Sequence, residues 1–186
     1  MKNDLQTPLE IRQHIWKELG RASQDRHHAW RTPVLATVGS DGAANARTVV
    51  LRGVDAAHQT LRIYTDQRSA KVSELVNEPN ALFVFWSDRL NWQLRVRVTI
   101  SIETAGPHVQ ALWQQVQQSA AAADYLGPAA PGSPCPDAQC GTTAGDGVNH
   151  FALLSAQALE MDWLELGRGG HRRARLFPDA WQWLTP

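Results

Sequence analysis

The sequence predicts a mainly β fold of the α+β class, a barrel with flanking helices, and three observations carry that prediction. Seven or more short runs read as strands with few helical stretches between them, which favours a barrel over a parallel βαβ sheet. A strong turn signal, Gly39-Ser40-Asp41-Gly42, joins two of these runs as a β-hairpin. The length of 186 residues, 43% of them hydrophobic, suits one domain with a substantial core.

Residues 5–23 read as a helix. Ile11, Ile15 and Leu19 fall on one face at i, i+4 and i+8, with Trp16 beside them and Pro8 tolerated in the first turn. His27, His28 and Trp30 lead through a loop to Pro33, where the period becomes that of a strand. Residues 34–38 form a short strand, 43–54 a longer one rich in Thr and Val, and 61–65 a third. Residues 67–77 return to helical spacing at Val72, Leu75 and Val76, and Asn77-Glu78-Pro79-Asn80 ends that helix. Two more strands are expected at 81–86 and 92–103. A helix is expected over 107–125, with Val109, Leu112, Trp113 and Val116 apolar. Residues 126–147 are dense in Gly, Pro, Ser and Ala; they predict a long mobile loop that proteases cut first. Residues 151–154, 158–166, 173–177 and 181–184 are strand-like, and Gly167 to His171 reads as a hairpin turn.

Composition narrows the function. The 18 basic residues balance 18 acidic ones, which argues against a general nucleic-acid binder. No apolar run approaches the roughly 20 residues of a membrane span. The first ten residues are polar and carry acids, unlike a signal peptide. With two cysteines, a reducing cytoplasm is the expected location. Cys135 and Cys140 stand four residues apart with His150 beyond; that spacing is loose for zinc, and free thiols are expected. His27 and His28 are adjacent, and neighbouring side chains on an extended segment point opposite ways, so a solvated loop is favoured over a metal or haem site. Eight tryptophans are a high count, and a buried indole N–H without a partner is costly. Some are therefore expected to line a site or a subunit contact.

Basic residues gather in two places, Arg47, Arg52, Arg68 and Lys71, and again from Arg168 to Arg175, which allows local anion sites. The first group is the more informative. A strand ends at Tyr64-Thr65-Asp66, and a helix begins after Gln67-Arg68-Ser69-Ala70-Lys71. The first N–H groups of a helix lack internal partners and carry partial positive charge. Thr65 and Ser69 add hydroxyls, Arg68 and Lys71 add charge, and Arg47 on a neighbouring strand can bring a third cation. Such a set can hold a phosphate. Taken singly, the same residues are ordinary surface charges on a short helix and an edge strand.

Their order distinguishes them. Arg47-Thr48-Val49-Val50-Leu51-Arg52 is followed by Tyr64-Thr65-Asp66, the Arg68-Ser69-Ala70-Lys71 turn, Asn77-Glu78-Pro79-Asn80-Ala81, and Gln93-Leu94-Arg95-Val96. This order resembles the pyridoxamine-5′-phosphate oxidase-like flavoproteins, closest to the branch of related FMN-binding proteins, over about residues 30–104 and again over 150–186. The resemblance implies an FMN-binding split β-barrel with flanking helices, acting as a homodimer with flavin sites at the interface. It implies that the Arg47–Arg52 strand runs along the FMN and that Tyr64 and Thr65 contact it. It places Ser69 and Lys71 at the phosphate and Gln93 near the ring, with Trp163 and Arg175 closing the site from the second subunit.

The sequence departs from the family in three places. Arg68-Ser69-Ala70-Lys71 replaces adjacent basic residues. Ser119-Ala120-Ala121-Ala122-Ala123 stands near where true pyridoxine-phosphate oxidases carry an Arg-rich segment that grips substrate phosphate, and the late Arg-x-His-x-Arg pattern is altered to His171-Arg172-Arg173-Ala174-Arg175. A neutral alanine run cannot bind phosphate by charge. The implied function is an FMN-dependent oxidoreductase of small molecules with an altered substrate site; the alternative is a non-catalytic flavin- or haem-binding protein on the same fold.

Overall fold

The computed structural model describes residues 7–135 and 147–186. Helix α1 spans Pro8–Gln24, and strands β1 to β4 span Val34–Val38, Ala44–Thr48, Leu51–Asp55 and Thr60–Asp66. Helix α2 covers Ala70–Asn77, followed by β5 (Asn80–Ser87), β6 (Trp92–Glu103) and α3 (Pro107–Val116). The last strands are β7 (Phe151–Glu165), β8 (Arg172–Leu176) and β9 (Trp181–Leu184).

All the described strand pairings are antiparallel, in the order β2-β1-β5-β6-β7-β4-β3, with β8 on β7 and β9 on β8. The two ends of that path, β2 and β3, are consecutive in the chain and separated only by Val49 and Val50. Three peptide links span at most about 11 Å. The sheet must therefore curl until its ends meet, which makes a barrel. Its split lies on β7. One edge of β7 pairs with β6 from Leu153 to Glu165, while the other carries β4 over Phe151 to Gln157 and β8 over Met161 to Glu165. A bulge between Arg97 and Val98, opposite Ala158 and Glu160, sits at this fork, where one extra residue re-aims the strand.

The predicted hairpin forms, with Val34 opposite Thr48 and Val38 opposite Ala44. Gly42 takes a φ of +79°, a left-handed turn position that suits glycine. The continuous strand expected over 43–54 breaks at Val49-Val50, because its halves pair with opposite ends of the sheet. Conversely, 151–154 and 158–166 merge into the single strand β7. The helix expected over 107–125 stops at Val116 and resumes as a 3₁₀ segment, Ala120–Tyr125. Of the loop expected over 126–147, residues 136–146 lie outside the described residues, as does Cys140. Cys135 is disulfide-bonded, which corrects the expectation of free thiols.

Helix α1 opens on a capping box: the Thr7 hydroxyl accepts from the Glu10 N–H, and the Glu10 carboxylate accepts from the Thr7 N–H at 3.0 Å. Its Ile11, Ile15, Leu19 and Ala22 are wholly buried in the barrel core with Leu35, Leu51, Phe83 and Leu94. A second cluster, Val109, Tyr125 and Phe151 with Tyr64 and Trp113, packs α3 and the 3₁₀ segment against the outside of β4 and β7.

A buried charge ties α1 to the loops. Glu18 is 1% exposed and accepts from His28 Nε2 at 3.0 Å and from Arg21 at 2.8 Å, with Arg89 a third partner. The Trp30 N–H donates to His28 Nδ1, so Nε2 carries the proton given to Glu18. Adjacent His27 is exposed and accepts from Arg26, whereas His28 is buried against Glu18, not in the solvated loop expected for both. Burial pushes the Glu18 carboxyl up, but the His28 hydrogen bond and the two arginine charges outweigh it and hold it below its ordinary value. A folded pKa below the unfolded value of about 4.3 means this stabilisation is complete above that pH and is lost as pH falls through the folded pKa. Urea unfolding between about pH 3 and 6 is expected to show an acid limb that is shallower in Glu18→Gln. Superimposable limbs would show that Glu18 does not contribute.

Candidate functional site

The site is built where β4 hands over to α2. Asp66 ends β4, and its carboxylate accepts from the Arg68 N–H at 2.7 Å, turning the chain. Ser69 sits at the N-cap position of α2, but its hydroxyl does not cap the helix. It donates instead to the Asp66 carbonyl at 2.8 Å. Lys71, in the first turn, reaches back so that Nζ lies 3.0 Å from both Thr65 Oγ1 and Ser69 Oγ. Those two hydroxyls are 3.2 Å apart, which completes a triangle of polar atoms. Thr65 and Ser69 are buried and Lys71 is half-buried. Burial lowers the Lys71 pKa, and the nearby Arg47 charge lowers it further. Among the described residues no carboxylate forms an ion pair with Lys71.

Arg47 joins this group from β2. One of its nitrogens donates to Glu74 Oε2 at 2.8 Å and another to the Thr37 hydroxyl. Glu74, buried on α2, also accepts from Thr37 at 2.6 Å and from Asn45 at 2.9 Å. Burial raises the Glu74 carboxyl, but these hydrogen bonds outweigh it and leave it below its usual value.

The structure thus brings Arg47, Thr65, Ser69 and Lys71 together. Arg68 is not with them. It is paired with Asp66 at 2.7 Å and donates to the carbonyls of Gly127 and Pro128 at 2.9 and 3.2 Å, so it braces the segment after the 3₁₀ turn. Arg68, expected at the phosphate, is thus held by the Asp66 carboxylate.

Thr48, Val49, Val50 and Leu51 follow Arg47 along the β2–β3 junction. The Val49 and Leu51 side chains are buried in the core, the Val49 N–H donates to Pro33 at 3.0 Å, and the Leu51 carbonyl accepts from Arg31 at 2.6 Å. Arg52 is the extra residue where the β3–β4 register shifts, and its guanidinium lies 6.0 Å from the Tyr64 ring centre. Burial raises the Tyr125 pKa and the nearby Arg52 charge opposes that rise, which places the 3₁₀ segment beside this second group.

Gln93 is on the outer face of β6, opposite Trp86 and Leu164 in register, on the same side as Arg95. Arg95, Asp162 and Arg175 follow one another across β6, β7 and β8 on that outer face. There Arg95, Arg97, Glu160, Asp162 and Arg175 line an open depression of about 370 Å³, solvent space included. Arg175 pairs with Glu160 at 3.2 Å, Arg172 with Glu165 at 2.6 Å and Arg173 with Asp162 at 2.7 Å. Three arginines of the second basic run are therefore paired with carboxylates of β7.

Trp163 is wholly buried. Alternation along β7 turns it inward against Trp92, with ring centres 5.2 Å apart, and Arg172 lies 5.5 Å from its ring. Expected to close a flavin site from the second subunit, it packs in the barrel core of its own chain.

Sequence reading missed Glu74, Thr37, Asn45 and Tyr125. Only Glu74 carried a signal, three residues after Lys71 on the same helix face.

A family model described as pyridoxamine 5′-phosphate oxidase, FMN-binding domain, matches residues 13–104. A pyridoxine/pyridoxamine 5′-phosphate oxidase 2 from Arabidopsis thaliana is 30% identical over 167 residues, covering 81% of this chain and 83% of that protein. A pyridoxine/pyridoxamine 5′-phosphate oxidase from Thermobifida fusca is 36% identical over 100 residues; the match spans 44% of each chain. A crystal structure of a pyridoxamine 5′-phosphate oxidase-related, FMN-binding protein from Nostoc punctiforme superposes with a TM-score of 0.73 at 23% identity, over 97% of this chain and 98% of that one. That last likeness speaks to the fold.

Proposed function

Because the chain belongs to the pyridoxamine 5′-phosphate oxidase FMN-binding family, we propose that it holds FMN by its phosphate at Thr65, Ser69, Lys71 and Arg47 and works as an FMN-dependent oxidoreductase in a homodimer. The observation that carries this reading is Lys71: a half-buried ammonium, aimed at two hydroxyls, beside a second cation and without a carboxylate partner among the described residues. Burying such a charge is costly unless an anion completes it. A phosphate monoester fits, since Lys71 can give it a charge-assisted bond and the hydroxyls can turn to donate.

When bound, FMN supplies the redox chemistry itself. The chain supplies binding and electrostatics. Thr48, Val49, Val50 and Leu51 offer backbone groups along the junction beside Arg47. Arg52, resting on Tyr64, offers positive charge, and Gln93 offers an amide on the outer face.

The homodimer reading draws support from that outer face. Val34, Val38 and Trp86 are 38%, 42% and 43% exposed there, next to Leu82 and Val84 in the same rows and beside Arg95 and Arg97. An apolar sheet face rimmed by charge is what a two-fold interface uses. We also propose that vitamin B6 phosphates are not the substrate, because the 3₁₀ segment at Ala120–Tyr125 opens with four alanines.

Titration of flavin-stripped protein with FMN, FAD and riboflavin tests the reading. FMN is expected to bind most tightly, to a protein that sediments as a dimer. Equal affinities for riboflavin and FMN would overturn the phosphate cradle, and a monomer that binds FMN tightly would overturn the interface.

A further inference from the structure

We infer that Glu74 is a positioning residue: it fixes the Arg47 guanidinium beside Lys71, and in doing so gives the site its discrimination between a phosphate monoester and a neutral hydroxyl. The inference rests on the FMN reading above and concerns a carboxylate that the flavin itself need not touch.

Arg47 and Lys71 come from different elements, β2 and α2, and both are cations. Their charges are close enough for Arg47 to depress the Lys71 pKa. Left alone they repel, and the long, partly exposed arginine would swing into solvent. Glu74 prevents this. It is one turn after Lys71 on α2, buried, and docked on the β1–β2 pair by three donors: Thr37 at 2.6 Å, Arg47 at 2.8 Å and Asn45 at 2.9 Å. Thr37 and Asn45 are direct partners in the strand register, and Asn45 and Arg47 are two apart on β2, so all three donors face α2 together.

Two effects compete. A carboxylate near the cradle repels a phosphate, while the same carboxylate orients a cation toward it. Three hydrogen bonds, one from a guanidinium, already occupy the Glu74 oxygens and offset their charge. Arg47 has five N–H donors and the structure commits two, to Glu74 and to Thr37. Orientation is therefore expected to win.

The test measures dissociation constants for FMN and for riboflavin on full-length protein stripped of flavin, in the parent, Glu74→Ala, Arg47→Ala and the double variant. Glu74→Ala is expected to weaken FMN about tenfold or more and leave riboflavin unchanged, because a hydrogen bond to a charged group is at stake. The double variant is expected to be no worse than Arg47→Ala alone, since Glu74 acts through Arg47. Additive losses, a parallel fall in riboflavin affinity, or tighter FMN binding in Glu74→Ala would each overturn the assignment. If Glu74→Ala does not fold, Glu74→Gln serves: it keeps one acceptor, and an unchanged FMN-to-riboflavin ratio there overturns the assignment equally. A parent protein that does not itself distinguish the two flavins would instead remove the FMN reading on which the assignment rests.

Discussion

Lys71→Ala is expected to weaken FMN binding by about 1.5–3 kcal/mol, the range for hydrogen bonds to charged groups, while riboflavin binds as before. The reason is local. The substitution removes a cation of the cradle that forms no ion pair with a carboxylate among the described residues, and it leaves Thr65 and Ser69 hydrogen-bonded to each other. Alanine is a better helix former than lysine and Lys71 is half-buried in the first turn of α2, so the fold is expected to survive. Circular dichroism checks the fold, and flavin fluorescence quenching reads the affinity. Equal losses for riboflavin and FMN would mean that Lys71 supports the site's shape and does not read the phosphate.

Trp163→Ala is expected to cost about 3–5 kcal/mol of stability, the range for truncating a buried aromatic. Trp163 has 0% exposure and stacks edge-on with Trp92, which in turn lies 6.4 Å from Trp30. Removing the indole opens a cavity between α1 and the sheet that these neighbours cannot fill without moving. Trp163→Phe is expected to cost less, because the indole N–H it removes has no hydrogen-bond partner in the core. Urea unfolding measures both. A Trp163→Ala protein as stable as the parent but unable to bind FMN would place Trp163 in the flavin site after all.

Trp163 also shows how sequence and structure diverge. Family resemblance pointed it toward a partner's flavin. The alternation of β7, with Met161, Trp163 inward and Asp162, Leu164 on the other face, was already present in the sequence and turns it toward the core. The face of α1 and the first hairpin were readable because each rests on local periodicity or a turn residue. The break at Val49-Val50 was not, because two valines continue any strand; the break is imposed by barrel closure, which pairs the halves with distant partners. The merger into β7 was hidden for the same reason: small and polar Ser155, Ala156 and Gln157 look like an interruption, yet they lie in the stretch where β4 and β6 pair on both edges. Within the site, Thr65, Ser69 and Lys71 were legible because they are close in sequence. Glu74 gathers Thr37, Asn45 and Arg47 from 27 to 37 residues away, a distance that no local pattern spans.

The most direct test of the central claim is the identity of the small molecule that travels with the protein. The chain, isolated under mild conditions, would be denatured and the released ligand analysed by mass spectrometry alongside its absorption spectrum. The account predicts a yellow protein that releases FMN, close to one per chain, with little FAD or riboflavin. Release of riboflavin or FAD in place of FMN, or a colourless protein that takes up haemin with a Soret band and retains no flavin when FMN is supplied, would contradict it.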